Sequence, residues 1–66
     1  MKILIIEDEK SISDLIRMNL IIEGFETIVA DEGYKGLELF KKEEPDLVIL
    51  DLMLPDCDGF EILKEM

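Results

Sequence analysis

The sequence lacks histidine and tryptophan, and it contains a single cysteine, Cys57. One cysteine cannot form an intrachain disulfide, and the absence of histidine leaves no zinc-ligand cluster in the chain. Basic residues are also scarce, because 7 Lys and Arg stand against 17 Asp and Glu, for a net charge of −10. This excess of negative charge argues against a nucleic acid or an anionic membrane as a direct partner.

Long apolar runs are absent as well. The longest, residues 3–6 and 47–50, have four residues each. Such runs are too short for a signal-peptide core or a membrane span, so we expect a cytoplasmic protein. A chain of 66 residues forms at most one small domain, and a domain of this size buries only about 60% of the surface that its unfolded chain exposes. Ile and Leu are abundant enough to predict a folded chain despite the high charge.

The stretch around Leu47–Leu50 organises the rest of the chain. Pro45 precedes this unbroken apolar run and Asp51 follows it directly. An unbroken run predicts a strand covered on both faces, as in a parallel sheet with helices on each side. Open α/β sheets bind their ligands beyond the carboxyl ends of the strands, so a carboxylate at the position of Asp51 predicts a functional site.

The other elements follow from apolar periodicity and from turn residues. Residues 3–6 predict a first strand, residues 25–30 a shorter second strand, and residues 34–44 a helix that Pro45 ends. The first helix is expected to begin near Lys10 or Ser11 and to end at Gly24, and its apolar face comprises Ile12, Leu15, Ile16, Leu20, Ile21 and Ile22. A short last helix opens near Gly59. The predicted order is β-α-β-α-β-α, which indicates a parallel sheet with right-handed crossovers.

Three carboxylates end two of the predicted strands. Glu7 and Asp8 follow the first strand and Asp51 follows the third, so the three converge if these strands are neighbours. Such a cluster repels itself, and a hard cation such as Mg²⁺ relieves the repulsion. One carboxylate of a metal-bound cluster can then act as a nucleophile toward phosphorus. The alternative is that these are ordinary strand-end acids of a very acidic protein, and spacing alone leaves both open.

Three fragments of the sequence together resemble the receiver domain of two-component response regulators. They are residues 5–9 (IIEDE), residues 45–47 (PDL) and residues 50–59 (LDLMLPDCDG). The resemblance covers all 66 residues in register. It implies the first half of a flavodoxin-like doubly wound parallel sheet, with strand order 2-1-3, in the α/β class.

The resemblance also implies roles for individual residues. Asp51 would be the phosphoacceptor, and Mg²⁺ would be bound by Asp8 directly, by Glu7 through water and by the backbone carbonyl of Met53. Many members of the family carry Asp at the position of Glu7, although Glu is a common variant. The phosphoryl donor would be a sensor histidine kinase, and the module would not itself be an enzyme. The sequence of residues 51–59 is similar to that of the family branch whose output is a winged-helix DNA-binding domain, which implies a transcription regulator.

Part of the family pattern has no counterpart in these residues. A receiver domain has five strands, with a Ser or Thr after the fourth and a Lys after the fifth that contact the phosphoryl group. We therefore expect residues 1–66 to be a truncated receiver domain without the fourth and fifth strands and the helices that follow them, and we expect its stable phosphorylation to be poor. We also expect the strand Leu47–Leu50 to lie at the edge of the sheet and to pair with its own copy in a homodimer.

Other functions remain open at this point. A self-associating half-domain without signalling activity would show the same strands. A flavodoxin-like module for a phosphorylated ligand is disfavoured, because carboxylates rather than a glycine-rich loop follow the first strand. A Mg²⁺-dependent phosphatase is disfavoured because its Asp-x-Asp arrangement is missing at Asp51–Met53. We interpret Cys57 as an incidental loop thiol and the Met53 side chain as a packing residue.

Overall fold

The computed structural model describes all 66 residues and contains three strands and three helices. Their bounds in chain order are β1 (Lys2–Ile6), α1 (Lys10–Ile22), β2 (Glu26–Ala30), α2 (Gly33–Glu43), β3 (Leu47–Leu50) and α3 (Gly59–Glu65). The strands form one parallel sheet in the order β2-β1-β3. The predicted α/β class, element order and strand order are therefore confirmed. No helix is both long and apolar enough to cross a membrane.

The central strand β1 supplies most of the core. Its residues 3–6 are at most 2% exposed, because β2 and β3 cover its two edges and helices cover its two faces. The start of β3 is fixed to β1 by two hydrogen bonds. The Asp46 N–H donates to the Lys2 carbonyl at 2.8 Å, and the Lys2 N–H donates to Asp46 Oδ2 at 2.7 Å.

One face of the sheet carries the principal core. Leu4 and Ile6 of β1 pack there with Ala30 of β2 and Ile62 of α3. Gly36 allows α2 to approach this face closely, because a Cβ at that position would collide with the Ile6 side chain. Since α2 and α3 also contact each other, these two helices form a continuous layer on this side of the sheet.

The prediction that β3 is covered on both faces is wrong for this chain. Leu47 is 47% exposed and the other three residues of β3 are only half-buried. The cause is the position of the helices, because α1 and α2 pack against β1 and β2 rather than against β3. The pattern of a strand that is buried on both faces belongs instead to β1, the central strand.

The apolar face of α1 is also less buried than its periodicity indicates. Ile12 is 46% exposed and Leu15 is 62% exposed, whereas Ser13 is buried. Ser13 tolerates burial because its Oγ donates a hydrogen bond to the Lys10 carbonyl at 3.1 Å. The end of the helix is as predicted, since Gly24 adopts a positive φ of 91° and its N–H donates to the Ile21 carbonyl.

Candidate functional site

The parallel sheet brings the three predicted carboxylates together. Glu7 and Asp8 directly follow β1 and Asp51 directly follows β3, and these strands are neighbours whose carboxyl ends share one edge of the sheet. The Asp51 N–H donates to the Ile6 carbonyl at 2.9 Å, which fixes the backbone where the site begins. One carboxylate oxygen from each of the three residues lies within 4.8 Å of the others. The predicted convergence of Glu7, Asp8 and Asp51 is confirmed as geometry.

No basic side chain neutralises this carboxylate cluster, which we define as Glu7, Asp8 and Asp51. The ion pairs of the structure join Lys2 to Glu26 and Glu43, and Lys10 to Asp14. Glu7 and Asp51 are half-buried and Asp8 is exposed, so the cluster is open to solvent on one side. Three oxygen donors with uncompensated negative charge are the ligand set that a hard divalent cation such as Mg²⁺ prefers. The residues present therefore fit the predicted metal.

The two half-buried carboxylates differ in their proton affinity. Partial burial raises the pKa of Glu7, and the neighbouring Asp51 carboxylate raises it further. The Met53 N–H, which donates to Asp51 Oδ1 at 3.1 Å, lowers the pKa of Asp51, and the neighbouring Glu7 carboxyl group lowers it further. On acidification Glu7 is thus expected to take up a proton first, while Asp51 stays ionised.

Replacing Glu7 by glutamine is expected to stabilise the metal-free protein at neutral pH. A carboxyl group whose pKa is raised by folding destabilises the fold while it is charged, and stability returns as the pH falls through the raised pKa. We expect Glu7→Gln to raise the free energy of unfolding by about 0.2–1 kcal/mol at pH 7, as is typical of exposed or partly exposed charges. The gain should shrink in acid, where Glu7 is already neutral.

Thermal unfolding in the presence of a chelator, measured as a function of pH, tests this expectation. Glu38→Gln makes the same change on the exposed face of α2, outside the cluster. Equal melting temperatures for wild type and Glu7→Gln at pH 7 would show that charge repulsion within the cluster does not lower the stability of the fold.

The loop after Asp51 folds back on itself beside the cluster. Met53 and Asp58 form an antiparallel bridge, and the Gly59 N–H donates to the Leu52 carbonyl at 3.0 Å. Glycine is required at position 59, because an added Cβ would lie 2.7 Å from the Asp51 carbonyl oxygen, which belongs to the backbone and cannot move aside. The Met53 side chain is 85% exposed rather than packed. It is the Met53 backbone that contacts Asp51.

Asp56 is the residue of this loop for which sequence reasoning found no role. Its Oδ1 accepts a hydrogen bond from the Gly33 N–H at 2.8 Å, and its Oδ2 accepts one from the Tyr34 N–H at 3.0 Å. These two N–H groups lower the pKa of Asp56. The side chain thus caps α2 from a loop more than 20 positions further along the chain. Local sequence patterns contain no signal for such a cap.

The remaining loop residues have local roles. Asp58 caps its own helix α3, since its Oδ1 accepts a hydrogen bond from the Phe60 N–H at 3.0 Å. Cys57 is half-buried and lies against Gly33, where an added Cβ would collide with its Sγ. Partial burial raises the pKa of the Cys57 thiol, and the negative charges of Asp56, Asp58 and Glu61 raise it further. A raised pKa keeps the thiol protonated, which agrees with its interpretation as an incidental loop thiol.

Comparison with known proteins identifies relatives of the whole chain. The family model of the response regulator receiver domain matches residues 3–66. The response regulator TrrA from Thermotoga maritima, solved in complex with Mg²⁺ and BeF, is 38% identical over 97% of this chain and 56% of its own, with a TM-score of 0.93.

Two further solved structures agree with this result. A CheY-like receiver domain protein from Methanospirillum hungatei JF-1 is 34% identical with a TM-score of 0.95, over 97% of this chain and 51% of its own. The BeF3-activated N-terminal receiver domain of RstA from Klebsiella pneumoniae is 34% identical with a TM-score of 0.93, over 98% and 56%. The chain therefore spans about half the length of the structures that it matches.

Proposed function

The chain belongs to the receiver domain family of two-component response regulators, and from that premise we propose that Asp51 accepts a phosphoryl group with the help of Mg²⁺. The observation that carries this proposal is the convergence of Glu7, Asp8 and Asp51 within 4.8 Å, without a basic side chain to neutralise them. We further propose that the module is not an enzyme in its own right, because it is the substrate of the transfer.

The proposed step is an in-line displacement at phosphorus by a free oxygen of Asp51. Oδ1 accepts the hydrogen bond from the Met53 N–H, which leaves Oδ2 as the available nucleophile. The lone pair of Oδ2 forms the new P–O bond, while the bond between phosphorus and a nitrogen atom of the phosphoryl donor breaks. The electron pair of that bond leaves with the nitrogen, which takes a proton. Asp51 is ionised at neutral pH, as an aspartate of ordinary or lowered pKa is, and so has the lone pair that the attack needs.

The residues that would hold the metal are the oxygen donors nearest to Asp51. Asp8 and Asp51 would bind Mg²⁺ through their carboxylates, Glu7 would bind it through a water molecule, and Met53 would contribute its backbone carbonyl. Bound Mg²⁺ would neutralise the negative charge on the phosphoryl oxygens. The protein supplies the position of Asp51, through the Ile6 carbonyl that holds its N–H and the Met53 N–H that orients its carboxylate.

The partner that fits this chemistry is a donor of a phosphoryl group on nitrogen. Membership of the receiver family supports a sensor histidine kinase in this role. We propose a cytoplasmic module that controls transcription through a DNA-binding output domain. The net charge of −10 supports the view that these 66 residues do not themselves bind nucleic acid.

Mg²⁺ binding tests the metal part of the proposal. Asp8→Asn should weaken Mg²⁺ binding by at least about tenfold, since even the loss of a group that only orients a metal ligand costs 10- to 100-fold. Isothermal titration of Mg²⁺ into wild type and variant measures the difference. Asp31→Asn is the matched control, because Asp31 follows β2 at the same edge of the sheet but lies outside the cluster. Equal affinities of wild type and Asp8→Asn would exclude the cluster as the metal site.

A second candidate function is self-association through β3. Only one edge of β3 is paired, to β1, and the other edge is free. Leu47 at the start of β3 is 47% exposed, and Phe60 and Leu63 of α3 are 55% and 54% exposed. A free strand edge flanked by apolar side chains recruits another strand. We propose that its partner is β3 of a second copy, in a two-fold homodimer.

A further inference from the structure

Asp56 joins two parts of the molecule that are distant in sequence. Its carboxylate accepts hydrogen bonds from the Gly33 N–H at 2.8 Å and from the Tyr34 N–H at 3.0 Å. These two bonds attach the loop to the first turn of α2. The residue at the N-cap position of that helix, Glu32, makes no side-chain hydrogen bond to it. The cap that α2 needs is thus supplied by the loop beside the carboxylate cluster.

The loop between β3 and α3 is closed by its own hydrogen bonds. At one end the Met53 N–H donates to Asp51 Oδ1 at 3.1 Å. Across the loop Met53 is bridged to Asp58, and the Gly59 N–H donates to the Leu52 carbonyl. A movement of Met53 relative to Asp51 must therefore displace the segment that carries Asp56. The contacts form one continuous path from the Asp51 carboxylate to the N-terminus of α2.

We propose that Asp56 is a positioning residue of the carboxylate cluster, which fixes the Met53 N–H on Asp51 by anchoring the loop to the N-terminus of α2. This inference rests on the proposed Mg²⁺ site and goes beyond it, since Asp56 lies outside the cluster itself. It has a reciprocal consequence. A cation bound at the cluster must be sensed at Gly33 and Tyr34, because coupling between two sites acts equally in both directions.

The proposal differs from a purely structural role for Asp56 in one observable respect. If Asp56 only stabilised α2, its removal would lower the stability of the protein but would leave Mg²⁺ affinity unchanged in the folded molecules. If Asp56 positions Asp51 through the loop, its removal weakens Mg²⁺ binding. It also abolishes the change that Mg²⁺ causes in the amide signals at the N-terminus of α2.

The experiment is a titration of Mg²⁺ into the full 66-residue chain, followed by the amide signals of Gly33 and Tyr34 in ¹H–¹⁵N spectra. In wild type both amides should shift in step with those of Glu7 and Asp8. In Asp56→Ala the Gly33 and Tyr34 response should disappear and the Mg²⁺ dissociation constant should rise by at least about twofold, the lower end of measured coupling effects. Asp56→Asn keeps a capping oxygen, so it should restore part of the amide response and part of the Mg²⁺ affinity.

Glu32→Ala is the matched control, because it removes one negative charge at the same helix end without removing a hydrogen bond to α2. It should retain the wild-type response. Mg²⁺ binding that shifts Glu7 and Asp8 but leaves Gly33 and Tyr34 unmoved in wild type would overturn the role of Asp56 and leave the proposed function intact. Equal loss of response in Glu32→Ala and Asp56→Ala would also overturn it, by assigning the effect to charge. A wild type that binds no Mg²⁺ would overturn the metal site and the positioning role together.

Discussion

At micromolar concentration the purified 66-residue chain is expected to sediment as a dimer. The free edge of β3 presents unpaired N–H and C=O groups, and the Leu47 side chain of the same strand is exposed. Pairing two β3 strands satisfies these groups and removes apolar surface from water at the same time. The charge of −10 on each chain opposes association, so the dimer should strengthen as salt screens the repulsion.

The geometry of the expected dimer follows from its symmetry. A two-fold axis perpendicular to the sheet makes the central β3 pair antiparallel and gives the strand order 2-1-3-3′-1′-2′. The two Asp51 residues then lie at opposite ends of the paired strands. Each cluster is built within one chain, so dimerisation is expected to leave Mg²⁺ binding unchanged.

Two lysine substitutions separate this interface from other apolar surfaces. Leu47→Lys places a charge on the strand edge, a device that natural sheets use against edge pairing, and should give a folded monomer. Leu15→Lys makes the same change at a more exposed residue of α1, 62% against 47%, and should leave the dimer intact. Sedimentation equilibrium measures both. A folded wild-type monomer at micromolar concentration would disprove edge pairing, and a monomer only in Leu15→Lys would move the interface to α1.

Local sequence patterns were sufficient to predict the order of the strands and helices. Two apolar runs bounded by charge correspond to β1 and β3, and glycine or proline marks the ends of α1 and α2. Parallel strands place their carboxyl ends at one edge of the sheet, so acids after β1 and β3 must meet if the strands are neighbours. The order 2-1-3 itself came from the family resemblance, because strand neighbours are not encoded in periodicity.

The features that could not be predicted depend on tertiary contacts. The run Leu47–Leu50 is as apolar as a fully buried strand, but its exposure depends on where α1 and α2 lie, and both pack against β1 and β2. Ser13 is buried while Leu15 is exposed, which depends on how α1 packs against β1 and β2 and not on the apolar pattern of the helix. The cap on α2 by Asp56 spans more than 20 positions and replaces a local cap that Glu32 does not make.

The second large effect is expected at Asp51, where replacement by asparagine should abolish phosphoryl acceptance. The amide of asparagine carries no negative charge and is not a nucleophile toward phosphorus, so no covalent product can form at that position. Asp31→Asn, at the same sheet edge but outside the cluster, should behave as wild type. Removing one hydrogen-bond donor to the charge that develops in a transition state typically costs about 3 kcal/mol. Because few fixed donors surround the Asp51 carboxylate, we expect only a minor fraction of the wild-type chain to be phosphorylated.

Intact-mass analysis after incubation with a small-molecule phosphodonor tests the central claim most directly. With Mg²⁺ present, wild type and Asp31→Asn should each show a minor species heavier by one phosphoryl group, located by peptide mapping at Asp51. That species should be missing in Asp51→Asn and should disappear when a chelator removes Mg²⁺. A wild-type chain that binds Mg²⁺ but shows no phosphorylated species, or an Asp51→Asn chain phosphorylated to the same extent, would contradict the assignment of Asp51 as the phosphoacceptor.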